Sequence, residues 1–337
     1  MRIITGWLLV VLLLASFARA EDVIVPLWGR WEGRFEADTE PKSPLAVDFW
    51  LEFTTPTGQA IKALGFWDGE RTWRCRWLPT EPGTWKYVAK SQPATAGLAG
   101  SGSFECRPAE AKPGTLPARG PLAIARSGTH FVQADGTPFF WLGDTVWNGP
   151  LLATKADWDE FLAARAARKF NVIQFNLLAP WRTAAADEVG QVAYTAGEKL
   201  AVHPRFFQRM DERIDAINAH GLIAAPVLLW TLGKREVSPG QLPDEQCVRL
   251  ARYGLARYQG HHVAWILAGD ENYAGDRGQR WAKIGRGGVR WPCARAGDDS
   301  PPRDELDSRH APRRTVARFS GIPKRPRRRS AHAGLDS

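Results

Sequence analysis

Between Val23 and Cys106 apolar and polar residues alternate in short runs, as in Ala46-Val47-Asp48-Phe49-Trp50-Leu51-Glu52-Phe53, and Pro, Gly and Asp-Gly signals break the runs apart. A strand sends successive side chains to opposite faces, so this alternation predicts half-buried strands joined by tight turns. Phe66-Trp67-Asp68-Gly69 and Trp73-Arg74-Cys75-Arg76-Trp77 read as strand, turn and strand, with Pro82-Gly83-Thr84-Trp85 as the next turn. Residues 21–106 are therefore expected to fold as a small immunoglobulin-like β-sandwich. Residues 107–120, rich in Pro, Gly and Ala, hold too little apolar surface for a core and read as a linker.

From Phe139 the period changes. Apolar strand-like runs at 138–142, 171–178, 222–229 and 263–267 alternate with amphipathic helical stretches at 157–169, 206–219 and 245–258. Repeated strand–helix units imply a parallel sheet covered by helices. Asp157 suits the opening turn of the first helix, and His220-Gly221 supplies a stop for the second; His203, just before Pro204, reads as a structural residue at a helix start. Polar and aromatic residues gather at the strand ends: Gly143-Asp144-Thr145, Asn176, Trp230 and Gly269-Asp270-Glu271-Asn272. Ligands sit beyond the carboxyl ends of parallel strands in both barrels and doubly wound sheets, so chemistry is expected at this rim.

Residues 1–20 begin with Arg2, run through Trp7 to Leu14 and close on Ala18-Arg19-Ala20, the three parts of a signal peptide. The apolar run is too short to span a bilayer, so cleavage after Ala20 and a secreted or periplasmic destination are expected, with no membrane span afterwards. The formal charge of +9 suggests nucleic acid until it is located. Thirteen Arg and Lys against six Asp and Glu fall from Arg286 onward, a net of +7; Arg2 and Arg19 supply the remaining +2. The body is neutral and no nucleic-acid partner is expected. Cys75 and Cys106 lie in predicted strands, where a disulfide and two buried thiols are both open; Cys247 and Cys293 have no evident partners. No C-x-x-C or H-E-x-x-H spacing occurs, and neither a metal nor a cofactor is expected.

Three runs together, Phe139-Phe140-Trp141-Leu142-Gly143-Asp144-Thr145-Val146-Trp147, Phe170-Asn171-Val172-Ile173-Gln174 and Trp265-Ile266-Leu267-Ala268-Gly269-Asp270, resemble the apiosidase-like glycoside hydrolases. Residues 28–104 are similar to the β-sandwich that often precedes their catalytic domain. The resemblance implies a TIM barrel, a polysaccharide or oligosaccharide substrate, and a retaining mechanism with two carboxyl groups. Asp270 matches the place of the acid/base at the end of the fourth strand, and the adjacent Glu271 is the alternative; capping the following helix is the structural role open to Asp270. Asp144 is a candidate acceptor for sugar hydroxyls or an organiser of its own loop. Asn176 joins the candidate substrate contacts, and Trp147, Trp181 and Trp230 offer flat faces for a sugar ring in a chain with 16 Trp.

A complete (β/α)8 barrel takes ~250 residues, whereas about four strand–helix units precede Gly285. The expected fold is thus α/β plus all-β, a sandwich followed at 121–285 by the N-terminal half of a TIM barrel. Residues 286–337 form a basic tail expected to be disordered or read from a shifted frame, and no strand-end glutamate after Glu271 supplies the nucleophile. An exported glycoside hydrolase, a noncatalytic carbohydrate-binding protein and an inactive remnant are the readings left open. Intact-mass spectrometry of the exported protein is expected to show a chain beginning at Glu21; a mass that retains Met1 to Ala20 refutes the cleavage.

Overall fold

A computed structural model describes residues 23–110, 115–180, 185–231, 238–269 and 273–288. The leader, part of the 107–120 stretch, Trp181, Asp270, Glu271, Cys293 and the tail from residue 289 lie outside the described residues.

Seven strands come first: β1 (Ile24–Pro26), β2 (Trp31–Glu36), β3 (Asp48–Thr54), β4 (Ala60–Gly69), β5 (Thr72–Trp77), β6 (Gly83–Gln92) and β7 (Gly100–Arg107). They form one sheet in the order β1-β7-β6-β3-β4-β5-β2, with β1 parallel to β7 and the other pairs antiparallel. β4 belongs to both halves. Residues 60–64 pair with β3, residues 65–69 pair with β5, and the register shifts between Trp67 and Gly69. The sheet folds over along this strand. Trp31 of β2 thereby meets Phe53 of β3 at 5.4 Å and Phe104 of β7 at 5.1 Å, closing a core with Phe49, Leu51 and Trp85. Gly65 sits at the fold, where a Cβ would lie 2.1 Å from the Phe49 ring. The predicted turn after Gly69 is present, with Gly69 at φ +109° and Glu70 at +49°. Cys75 and Cys106 are buried free thiols, and loss of hydration pushes the Cys106 pKa up to about 11.

A short helix α1 (Leu116–Arg119) leads to a small antiparallel sheet of β8 (Leu122–Ile124), β9 (Phe131–Gln133) and β10 (Pro138–Phe139). The apolar run at 138–142 is therefore not the first parallel strand. Its start pairs with β9, and the parallel strand is β11 (Gly143–Thr145), the segment expected to be a strand-end loop. There follow α2 (Gly149–Leu152), α3 (Lys155–Ala167), β12 (Val172–Asn176), the hairpin β13 (Tyr194–Thr195) and β14 (Ala201–Val202), α4 (Pro204–Ala219), β15 (Ile223–Trp230), α5 (Asp244–Tyr258), β16 (Ile266–Gly269) and α6 (Gly275–Gly288). The parallel sheet runs β11-β12-β15-β16. Its two faces are separate: Ile173 and Phe175 pack with Trp158, Leu162 and Ile217 of the helices, whereas Val172 packs with Leu116, Leu122, Ile223 and Ala225 on the other side.

Local chemistry sets the helix ends. Thr154 accepts from the Asp157 N–H at 3.2 Å and its hydroxyl donates to the Asp157 carboxylate at 2.7 Å, satisfying an otherwise orphaned donor of α3. His203 is the N-cap of α4 with Pro204 in the first turn, and Gly221 at φ +76° follows the end of that helix.

The folded sheet docks on α4 and α5 through a cluster of three guanidiniums and three carboxylates. Arg257 of α5, fully buried, donates to both oxygens of Asp211 at 2.7 Å and reaches Asp68 of β4 at 2.8 Å. Arg76 of β5 donates to Asp211 at 2.8 Å, to Glu32 at 2.6 Å and to the Arg257 carbonyl at 3.2 Å. Arg74 donates to Asp68 at 2.6 Å and also pairs with Glu32. Burial alone would raise the Asp211 carboxyl pKa; the Arg257 and Arg76 charges outweigh it and hold it below the usual range. Tyr253 donates to the Trp67 carbonyl at 2.8 Å, and a Cβ on Gly260, just past the end of α5, would lie 2.6 Å from that of Arg76, so the turn after the helix lies close against the sheet. Removing one partner of such a set leaves buried charge uncompensated. Asp211→Ala is expected to cost about 3–5 kcal/mol of unfolding free energy in urea denaturation, against less than about 1 kcal/mol for breaking the exposed Lys155–Asp159 pair.

Candidate active site

The four parallel strands end at one rim, and hydrogen bonds tie the ends together. The Trp147 carbonyl accepts from the Asn176 N–H at 3.0 Å, and the Val146 N–H donates to the Gln174 carbonyl at 2.9 Å. The Thr231 hydroxyl donates to the Gly269 carbonyl at 2.9 Å, and Ser238 holds the Trp230 carbonyl. Side chains at this rim are therefore carried by hydrogen-bonded strand ends rather than by long loops.

The rim brings together three of the residues singled out in the sequence. Trp147 and Trp230 touch, with ring centroids 4.6 Å apart and planes at 51°, an apolar pair at the ends of β11 and β15. Trp230 is nearly buried and Trp147 half-buried. Asn176 ends β12 on the face it shares with Val172, away from the helices. It is 1% exposed, and neither Nδ2 nor Oδ1 has a hydrogen-bond partner. A buried polar group left in that state costs roughly 1–3 kcal/mol.

Asp144 is placed differently. As a member of β11 it lies in register with Ile173, which faces the helices, and its carboxylate pairs with Arg165 of α3. The expected sugar contact would need it on the opposite face, so the structure gives Asp144 a partner between strand and helix. Arg165 also stacks over Phe161, its guanidinium carbon 4.4 Å from the ring centre. Asp270 and Glu271 follow β16 directly and lie, with Trp181, outside the described residues.

Tyr273 escapes the sequence reading, and Gly269 figures in it only as part of a strand-end run. Gly269 must lack a side chain, since a Cβ there would lie 2.0 Å from the Trp230 ring. Tyr273, about half exposed, donates from its hydroxyl to the Ala268 carbonyl of β16 at 3.0 Å. An aromatic residue just after Asp270-Glu271-Asn272 was the available signal for Tyr273; nothing local marks Gly269 as a close-approach site.

Comparison with known proteins decides the family. The profile of the apiosidase-like catalytic domain matches residues 125–310, more than half of the chain. The chain belongs to the apiosidase-like family. Ahead of that domain, residues 24–92 match a domain of unknown function, DUF5060, which corresponds to most of the folded sheet. Among solved structures, a candidate glycoside hydrolase from Bacteroides vulgatus superposes with a TM-score of 0.65 at 22% identity, over 80% of this chain and 54% of that one. This apiosidase-like chain thus spans about half the length of that protein. A family 5 glycoside hydrolase from the same organism aligns over 53% of this chain and 39% of its own, with 19% identity and a TM-score of 0.44. No curated protein matches the sequence. The family's rim geometry here hinges on the Gly269–Trp230 contact. Gly269→Ala is expected to displace the indole and cost about 1–3 kcal/mol, read by thermal denaturation and by loss of near-ultraviolet circular dichroism from the tryptophans.

Proposed function

We propose that this protein is an exported glycoside hydrolase that acts on polysaccharide side chains by a retaining mechanism, with Asp270 as acid/base. The observation that carries the reading is the rim itself: paired indoles and a buried amide at the carboxyl ends of four parallel strands, in an apiosidase-like chain whose β16 leads straight into Asp270. In this reading the parallel sheet is the first half of a (β/α)8 barrel, and the folded sheet ahead of it is an immunoglobulin-like sandwich. The signal peptide at 1–20 carries the chain out of the cytoplasm.

Asp270 would protonate the glycosidic oxygen as its bond to the anomeric carbon breaks, while a second carboxylate attacks that carbon from the opposite face. Water, deprotonated by Asp270, then releases the sugar and restores both groups. Glu271 is the alternative to Asp270. Among the described rim residues there is no second carboxylate, since Asp144 is turned toward Arg165. That observation favours a second reading, a noncatalytic carbohydrate-binding protein using the same indoles and amide.

Aryl glycosides and pectic oligosaccharides, assayed for released reducing sugar, separate the two. Asp270→Asn is expected to lower kcat/KM by about 10²–10⁴-fold, and Glu271→Gln by much less. An equal or larger loss in Glu271→Gln would transfer the role to that residue. Oligosaccharide binding without any turnover by the unmodified chain would establish the noncatalytic reading instead.

A further inference from the structure

Asn176 differs from every other described buried side chain left with an unpartnered polar atom: it carries both a donor and an acceptor, and both lack partners. Buried amides in folded proteins are ordinarily satisfied, and an apolar residue of similar volume would serve packing at least as well. The side chain cannot turn away to find water. Asn176 is fixed by its own N–H to the Trp147 carbonyl and by pairing opposite Val227 in β15, in the middle of the sheet. Its register partner Val227 is apolar and buried, and the Trp147–Trp230 pair stands at the adjoining strand ends. The amide therefore faces the ligand side of the sheet with its hydrogen-bonding capacity unspent.

We propose that Asn176 selects the sugar bound at this rim, its Oδ1 accepting a hydrogen bond from one hydroxyl and its Nδ2 donating to the adjacent one, so that the preferred ligand presents a vicinal diol beside the Trp147–Trp230 pair. The inference rests on the carbohydrate reading of the rim but not on hydrolysis. A planar amide meets two neighbouring hydroxyls with one donor and one acceptor, whereas a single hydroxyl leaves one of its atoms unsatisfied. Because the group is 1% exposed, a sugar reaches it by displacing part of its cover. The indoles contribute apolar contact to the C–H face of the ring, and discrimination falls to the amide.

The test uses the full chain and two substitutions, titrated by calorimetry with D-xylose, L-arabinose and D-galactose and melted in parallel without sugar. Asn176→Leu is expected to melt at or above the unmodified protein while binding the preferred sugar at least about tenfold more weakly. Asn176→Asp, which keeps the volume and the acceptor but loses the donor, is expected to weaken the same sugar as well. A lower melting temperature or failure to fold in Asn176→Leu would show the amide to be structural and overturn the proposal. So would unchanged binding in Asn176→Asp, or no binding of any of these sugars by the unmodified protein. Sugar binding that depends on Asn176 without glycoside turnover would sink the hydrolase reading and leave this one standing; turnover indifferent to both substitutions would do the reverse.

Discussion

Arg257 has no exposed surface, and a guanidinium so placed is tolerable only with carboxylates on both sides. Asp211 comes from the helix beside it and Asp68 from the folded sheet, while Arg76 enters from the sheet to share Asp211. The charges of Arg74, Arg76 and Arg257 balance those of Glu32, Asp68 and Asp211, so the cluster as a whole is neutral. Such a set contributes little net stability compared with apolar packing, but it penalises any docking that separates its members. It fixes how the β-rich region sits on α4 and α5. The apolar contacts then follow, with Phe66 meeting Tyr253 at 6.2 Å beneath the two guanidiniums.

That docking lies on the helical side of the parallel sheet, and the rim lies at the strand ends. Asp144 of β11 is drawn toward α3 by Arg165, on the helical side of the sheet. Among the described residues, these strand ends carry the Trp147–Trp230 pair and the buried amide of Asn176. The catalytic-domain profile gives the family, and the likeness to the longer Bacteroides vulgatus protein is one of fold.

Periodic segments were readable from the sequence because one physical pattern dominated each. β3 buries Phe49, Leu51 and Phe53 and turns the residues between them outward, and α4 begins at the His203-Pro204 pair and ends at Gly221 as its capping chemistry required. The first parallel strand was misplaced because Phe139 to Leu142 is more apolar than Gly143 to Thr145; the antiparallel pairing of Pro138 and Phe139 with β9 claims that run. Shifting the strand moved Asp144 from the expected strand end into β11, opposite Ile173. The ionic cluster was illegible since its members come from positions 32, 68, 74, 76, 211 and 257, and nothing local marks residues so far apart as partners. Asn176 was legible as a strand-end residue, but its lack of partners depends on what surrounds it in space.

β4 carries a further consequence. Ile61 and Ala63 face the core of the folded sheet, while Leu64 and Phe66 belong to the core built on the helices. Apart from Ala60 every residue of β4 is buried or half-buried, so the strand has little free surface on which sequence can drift, and deleting one residue would exchange its two apolar sets. The β-rich region is therefore not a module that recombination could trade freely at residues 107–120. Exchanging it would require matching surfaces on α4 and α5 as well.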